Sequence, residues 1–352
     1  CPPAARGDAV SEPLRFAIFG TGFWSRYQLA AWQELESVEC VALCDLSLGK
    51  ADAVASEFGI PSTYDDASDL LAAERLDFVD VISDVHSHAP LARLAADAGV
   101  DVICQKPLAP SLDEARALAA HCEAAGVRLY VHENWRWQTP LRALKEELDS
   151  GAIGDPFRAR IQYSNDFPVF ENQPGLRELE QFALADIGSH ILDLARFLFG
   201  DATRMYCETQ QVTPGIAGED VATVMLTMDR GMSVVCEISY ASHLEHGRFP
   251  ETYVLIEGSK GSLELGPDFW VRSTVGGETR STRIVPPVYS WADPAYALAH
   301  SSMVACNADL LHALRGGEEA ETTAADNLRT VELYYRAYES AASGQAIRVG
   351  RD

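Results

Sequence analysis

Lysine is scarce in this chain, with four among 28 basic residues, and one of the four stands where chemistry would want it. Lys106 follows the apolar run 102–104 and precedes Pro107, whose fixed φ and missing N–H stop a strand abruptly. An ammonium at a strand's carboxyl end can donate to a substrate oxygen and steady negative charge there. The plainer reading is a solvated surface lysine. Asp186-Ile187-Gly188-Ser189-His190 opens a helical pattern. Residues four apart share a helix face, so Asp186 and His190 should stand together, with Asp193 on the same stripe and Ile187, Ile191, Leu194 and Leu198 beside it. An imidazole with a carboxylate one turn away is an oriented acid–base group near neutral pH. Gly188 and Ser189 leave that turn uncrowded, open to something bulky. The bland alternative is a helix-capping Asp186 and a satisfied, half-buried His190.

A third constellation is the turn Gly20-Thr21-Gly22-Phe23-Trp24-Ser25, between the apolar run 14–19 and a helical pattern from about Arg26. Strand, glycine turn and helix together read as a dinucleotide-binding unit. Gly20 permits the tight turn, and Gly22 lets the backbone approach a pyrophosphate. Ser25 is small enough to keep helix and strand close, and the helix N-terminus offers free N–H groups to phosphate. Asp45 ends the next apolar run, as an acid for a ribose 2′-hydroxyl should.

These residues need a scaffold that brings them to one rim. Residues 14–131 alternate strand-like and helix-like patterns, which predicts a doubly wound parallel sheet with helices on both faces. Strands are expected at 14–19, 38–44, 62–64, 78–83, 102–104 and 127–131, with helices over 48–58 and 89–98 and another opened by the capping box Ser111-Leu112-Asp113-Glu114. Gly20, Asp45, Ser83, Lys106 and residues 132–136 then all follow strand ends and share the ligand-binding rim. Beyond, helices are expected over 141–148 and 186–199, and successive strands follow near 203–285 with no helix between them. That implies a mostly antiparallel sheet with one open face, in an α+β domain finished by helices near 295–315 and 322–342. The domains are 14–136 and 137–352, after a disordered lead-in over 1–13.

The net charge of −24, with no basic stripe, makes nucleic acid and anionic membranes poor partners. No apolar run reaches the roughly 20 residues of a membrane span. Eight scattered cysteines with no C-x-x-C suggest reduced, structural thiols, a cytoplasmic setting and no metal site.

Together these motifs resemble the glucose–fructose oxidoreductase / inositol dehydrogenase / rhizopine-catabolism (Gfo/Idh/MocA) family over nearly the whole chain. The carriers, in order, are the turn 20–25; Ser83-Asp84-Val85-His86-Ser87-His88 at the family's T-P-x-x-x-H; Gln105-Lys106-Pro107 at its E-K-P; Asn134-Trp135-Arg136 at its N-x-R; and Asp186 to His190 at its D-x-x-x-H. Gln105 departs from the usual Glu and removes a carboxylate beside Lys106, and Ser83-Asp84 replaces Thr-Pro. The Cys-Gln-Lys-Pro and His-Glu-Asn-Trp-Arg-Trp stretches look more like the sugar-dehydrogenase branch, with its apiose dehydrogenase-like members.

The resemblance implies a Rossmann domain binding NAD through Gly20, Thr21, Gly22, Phe23, Trp24, Asp45, Ser83, Val85, His88, Gln105, Lys106, Asn134 and Arg136. The substrate is a sugar or polyol, lying over the nicotinamide and facing the second domain's open sheet. His190 takes the hydroxyl proton as hydride moves to NAD, Asp186 orients His190, and Lys106 steadies the alkoxide. Arg136, Tyr163, Asn165, Asp166 and His300 are further candidate substrate contacts. An NAD-recycling glycosidase-like oxidation–elimination enzyme, a non-catalytic sugar sensor and an inherited scaffold are the alternatives. A homodimer or homotetramer is expected, since the sheet's outer face needs cover.

Overall fold

The computed structural model describes residues 12–350, so Cys1 and nearly all of the expected lead-in lie outside the described residues. The first half alternates β1 (Leu14–Phe19), α1 (Phe23–Gln33), β2 (Val38–Cys44), α2 (Leu48–Phe58), β3 (Ser62–Tyr64), α3 (Ala67–Ala73), β4 (Phe78–Val81), α4 (Val85–Asp97), β5 (Asp101–Gln105), α5 (Leu112–Ala125) and β6 (Leu129–His132). The six strands are parallel in the order β3-β2-β1-β4-β5-β6, which is the Rossmann sheet with its switch point between β1 and β4. Central strands are mostly apolar because helices cover both faces: Phe16 to Phe19 and Phe78 to Val81 are buried throughout, and the one acid among them, Asp80, accepts from Gln28 and from the Trp32 indole.

Capping chemistry sets several helix starts. Ser111 Oγ accepts from the Glu114 N–H at 3.2 Å and opens α5, as its capping box predicts. Asp84 accepts from the His86 N–H, so α4 begins at Val85 rather than near 89; Pro90 lies inside the helix. The short α3, capped by Asp66, is an addition to the expected elements.

The second half contains a 3-10 turn (Trp135–Trp137), α6 (Thr139–Asp149), β7 (Pro156–Ser164), α7 (Val169–Asn172), a 3-10 turn (Pro174–Glu178), a π-helical turn (Leu184–Gly188), α8 (Ser189–Phe199), β8 (Ala202–Gln210), β9 (Val221–Met228), β10 (Ser233–Ser239), β11 (Tyr253–Gly258), β12 (Gly261–Gly266), β13 (Trp270–Val275), β14 (Glu278–Arg283), α9 (Ala297–Leu314), α10 (Ala324–Ser343) and β15 (Ile347–Arg348). Its nine strands form one sheet in the order β14-β13-β12-β11-β7-β10-β9-β8-β15, antiparallel except for the β7–β10 pair. Ile161, Cys236, Val224 and Val254 point to the inner face, where α6, α8 and α10 pack. Those helices, not the ligand cleft, cover most of that face. The alternate positions, among them Arg160, Thr223, Met225 and Leu255, form the outer face, and Met225 is half exposed.

α9 returns to the first sheet. Its Cys306, Leu310 and Leu314 pack with Phe16, Ile18, Leu29 and Trp32 into one core, against α1. No helix among the described residues is long and apolar enough to cross a membrane. The seven described cysteines are free, and burial pushes each thiol's pKa up, so none is an activated nucleophile.

Candidate active site

A cavity of about 1150 Å³ opens at the carboxyl ends of the parallel strands, between the two halves. Its first end is the glycine turn. Gly20 has φ +99°, and a Cβ there would lie 2.4 Å from the Ile82 carbonyl oxygen, so only glycine fits. Gly22 lines the cavity as the N-cap of α1, with no side chain spent on the first N–H groups. Ser25 is buried and donates to the Gly22 carbonyl at 2.7 Å. This is a cradle for a phosphate oxyanion on a helix N-terminus.

Asp45 stands at the cavity mouth. Burial favours its neutral form, but hydrogen bonds from the Ser47 N–H and from the N–H and hydroxyl of Thr21 hold its carboxyl below the usual range. Thr21 therefore acts behind the wall, on Asp45, rather than on a ligand; it is absent from the lining. Phe23, Trp24, Ser83, Val85, His88, Gln105 and Asn134 do line the cavity. The His88 ring spans two strand-end loops, with Nδ1 2.9 Å from the Pro107 carbonyl and Nε2 3.1 Å from that of Ser83. Gln105 donates to Gln28 Oε1 at 2.5 Å and accepts from the Lys106 N–H. The side-chain-free cradle, the open helix start and an ionised acid at the cavity mouth fit an extended dinucleotide.

The second half supplies the acid–base wall. Lys106 Nζ donates to the Asp186 carbonyl at 3.0 Å and to Asp186 Oδ1 at 3.2 Å. Tyr240 OH donates to Asp186 Oδ2 at 2.8 Å. Burial raises the Asp186 pKa, yet the Lys106 ammonium and the Tyr240 hydroxyl leave it below the ordinary carboxylate value. The carboxylate that Gln105 does not provide to Lys106 comes from across the cleft.

Asp186, expected to orient His190, makes no hydrogen bond to it. His190 Nδ1–H donates instead to Glu133 Oε1 at 2.5 Å. Asp186 lies in the π-helical turn, whose i→i+5 spacing departs from the α register that stacks residues four apart, and both its carboxylate oxygens are already engaged. Nor does Gly188 leave room for a ligand. A Cβ there would meet the Ala183 carbonyl oxygen at 3.2 Å and Ile238 at 3.3 Å, so its smallness serves packing of the turn on β10. Trp135 stacks on the His190 ring, centroids 4.4 Å apart. Tyr240, Phe249 and Tyr296 are site residues that sequence reasoning missed; Glu133 fell within the expected rim stretch 132–136 but was given no role there.

Five expected ligand contacts are corrected. Arg136 is buried away from the cavity in a bidentate pair with Asp193 (2.8 and 2.6 Å), with Asp326 at 3.0 Å; Asp193 belongs to this network rather than to the His190 site. Tyr163 packs edge-on behind Tyr240 and Trp135, fully buried. Asn165 accepts from the Phe167 N–H in a buried turn. His300 stacks on Tyr27 at 3.9 Å, behind the wall formed by Tyr296, Ala299 and Met303, and burial depresses its pKa to about 4. Asp166 faces away and pairs with His243 at 2.8 Å.

Residues 14–133 match an oxidoreductase family with an NAD-binding Rossmann fold, and residues 141–264 match the GFO/IDH/MocA C-terminal domain. The chain is 43% identical over 333 residues to a D-apiose dehydrogenase from Paraburkholderia graminis, spanning 95% of this chain and 89% of that protein. It is 40% identical over 337 residues to a D-apiose dehydrogenase from Rhizobium rhizogenes, spanning 96% and 98%. The crystal structure of an oxidoreductase from Agrobacterium radiobacter in complex with NAD+, L-tartaric acid and magnesium superposes with a TM-score of 0.93 at 39% identity, covering 95% of this chain and 98% of that one. With both family domains matched in order and the glycine turn, Lys106 and His190 gathered on one cavity, the chain belongs to the GFO/IDH/MocA family of NAD-binding oxidoreductases.

Proposed function

We propose that the protein is an NAD-dependent dehydrogenase of an uncharged sugar or polyol, with D-apiose or a similar pentose as its substrate. The observation that carries the reading is that Lys106 and His190 line the same cavity as the dinucleotide cradle. NAD, when bound, supplies the acceptor for hydride from a C–H carbon. His190 removes the proton of the hydroxyl on that carbon, and Lys106 donates to the same oxygen as its charge develops. Asp186 and Tyr240 fix the ammonium's place. Trp135, Phe182, Phe249 and Tyr296 offer apolar faces to a sugar ring. Among the described residues Lys106 is the one Lys or Arg of the lining, and Asp186 holds it, so no second Lys or Arg is there to clamp a charged group on the substrate.

A screen of pentoses including D-apiose, hexoses, aldonates and inositols, followed at 340 nm, tests this. NADH formation with a neutral sugar is expected. Release of free sugar from a glycoside without net NADH would move the assignment to the oxidation–elimination alternative. Turnover confined to aldonates would overturn the uncharged-substrate reading.

NAD is expected to be preferred over NADP by at least about 10²-fold in kcat/KM, a few kcal/mol of discrimination. Asp45, Asp65 and Asp66 line the cavity together, and among the described residues no Lys or Arg lines it beside them to meet a 2′-phosphate. Comparable kcat/KM values for the two cofactors would refute the assignment of Asp45.

Residues 14–136 are taken as the cofactor-binding domain and 137–352 as the substrate-binding and oligomerisation domain, and the free thiols suit a cytoplasmic setting. The uncovered outer face of the nine-stranded sheet, carrying Met225 and Leu255, supports self-association. Light scattering should report two or four times the 38.4 kDa chain mass, and a monomer at working concentration would exclude it.

A further inference from the structure

We propose that Glu133 is the positioning residue for His190, so that each of the two site groups has its own carboxylate partner, Asp186 for Lys106 and Glu133 for His190. The proposal rests on the dehydrogenase reading above. Glu133 follows β6 and is fully buried, outside the cavity lining, while His190 lines the cavity. Its Oε1 accepts from the Trp135 N–H at 3.2 Å and from His190 Nδ1–H at 2.5 Å. Trp135 in turn lies at 18° to the imidazole plane and donates through Nε1–H to Thr252 Oγ1 at 3.1 Å. The ring is thus held at one nitrogen by an acid and across one face by an indole that is itself tethered.

An ionised carboxylate only accepts hydrogen bonds, so Nδ1 carries the hydrogen and Nε2 is left with its lone pair toward the cavity. That is the tautomer a base needs to take a hydroxyl proton. Burial pushes the Glu133 carboxyl up, but His190 and Lys106 together hold it below its ordinary range, which keeps it an acceptor. Asp186 makes no hydrogen bond to the imidazole; its carboxylate accepts from Lys106 and Tyr240 instead. After proton transfer, Glu133 faces an imidazolium, so the pair stabilises the charge formed during the reaction. Glu133 touches no substrate; it acts through His190.

The test compares wild-type protein, Glu133→Ala and Glu133→Gln, with D-apiose as the sugar probe. Glu133→Ala should lower kcat by roughly 10²-fold while the sugar KM and the NAD Kd move less than about threefold. Glu133→Gln can present its amide N–H to Nδ1 and so favour the wrong tautomer, and it lacks the charge that balances an imidazolium, so its kcat should fall by roughly 10²-fold or more as well. In 15N-histidine spectra, with the His190 signal identified by its loss in His190→Gln, wild type should show the Nδ1–H form and Glu133→Ala the Nε2–H form. Unchanged kcat in Glu133→Ala, a KM and NAD Kd that worsen in step with kcat, or a tautomer indifferent to the substitution would each overturn the role. If the wild-type protein oxidises no sugar, the dehydrogenase reading fails, and the tautomer comparison alone decides for or against Glu133.

Discussion

Alanine at either His190 or Lys106 is expected to lower kcat by at least about 10²-fold, the scale of a positioned base or an oxyanion donor. His190→Ala should leave the NAD Kd within about threefold of wild type, because the loss falls on the chemical step rather than on binding. Lys106→Ala should affect both, since Lys106 stands beside Gln105 on the cofactor rim. The double variant should be less impaired than the product of the singles, because both groups serve one substrate oxygen. Asp186→Asn should resemble a weakened Lys106 variant, its carboxylate contacting that ammonium and not the imidazole. Steady-state kinetics with a good sugar substrate, alongside NAD titration, checks all four. Near-normal turnover in His190→Ala would restore the bland reading of a satisfied core histidine.

The second large effect is on stability. Arg136→Met leaves Asp193 as a fully buried carboxylate short of its bidentate partner, with Arg196 3.9 Å away as the remaining nearby cation. Removing one member of such a buried pair costs about 3–5 kcal/mol. The expected result is a Tm several degrees lower, with an NAD Kd for the folded protein unchanged within about twofold. Adding Asp193→Leu should recover part of the loss, since an apolar pair of similar volume is often tolerated where half an ion pair is not. Thermal melts and NAD titrations on the three proteins decide it. An Arg136→Met protein that melts like wild type but has lost NAD affinity would return Arg136 to the cofactor site.

The parallel sheet was legible because its signals are local. Apolar runs, Gly20, Gly22 and Asp45 each have a position set by the strand beside them, and the glycine turn reads the same in sequence and in space. The antiparallel strands were legible for the same reason, through alternation and turns. α3 escaped because seven residues rich in alanine carry little periodicity, and β15 because two residues carry none. The candidate acid–base wall was legible only in its members. Asp186, His190 and Lys106 are there, but their pairing depends on a π-helical turn and on an acid 57 residues away, just past the end of β6. Spacing along a helix predicts neighbours on that helix and is silent about what packs against it. Arg136 shows the same limit: its place at the rim was right, but the direction of its side chain was set by Asp193 and Asp326 on α8 and α10.

The return of α9 to the first sheet means that the cofactor-binding half cannot be lifted out as an independent module. A fragment ending near residue 136 would lose Cys306, Leu310 and Leu314 and lay bare Leu29 and Trp32, which are almost wholly shielded in the full chain. Excised, that half would present a sticky greasy seam where the intact protein has a closed interior. Domain swaps among relatives must therefore carry 297–314 together with 14–136, joining two stretches of sequence that lie at opposite ends of the chain.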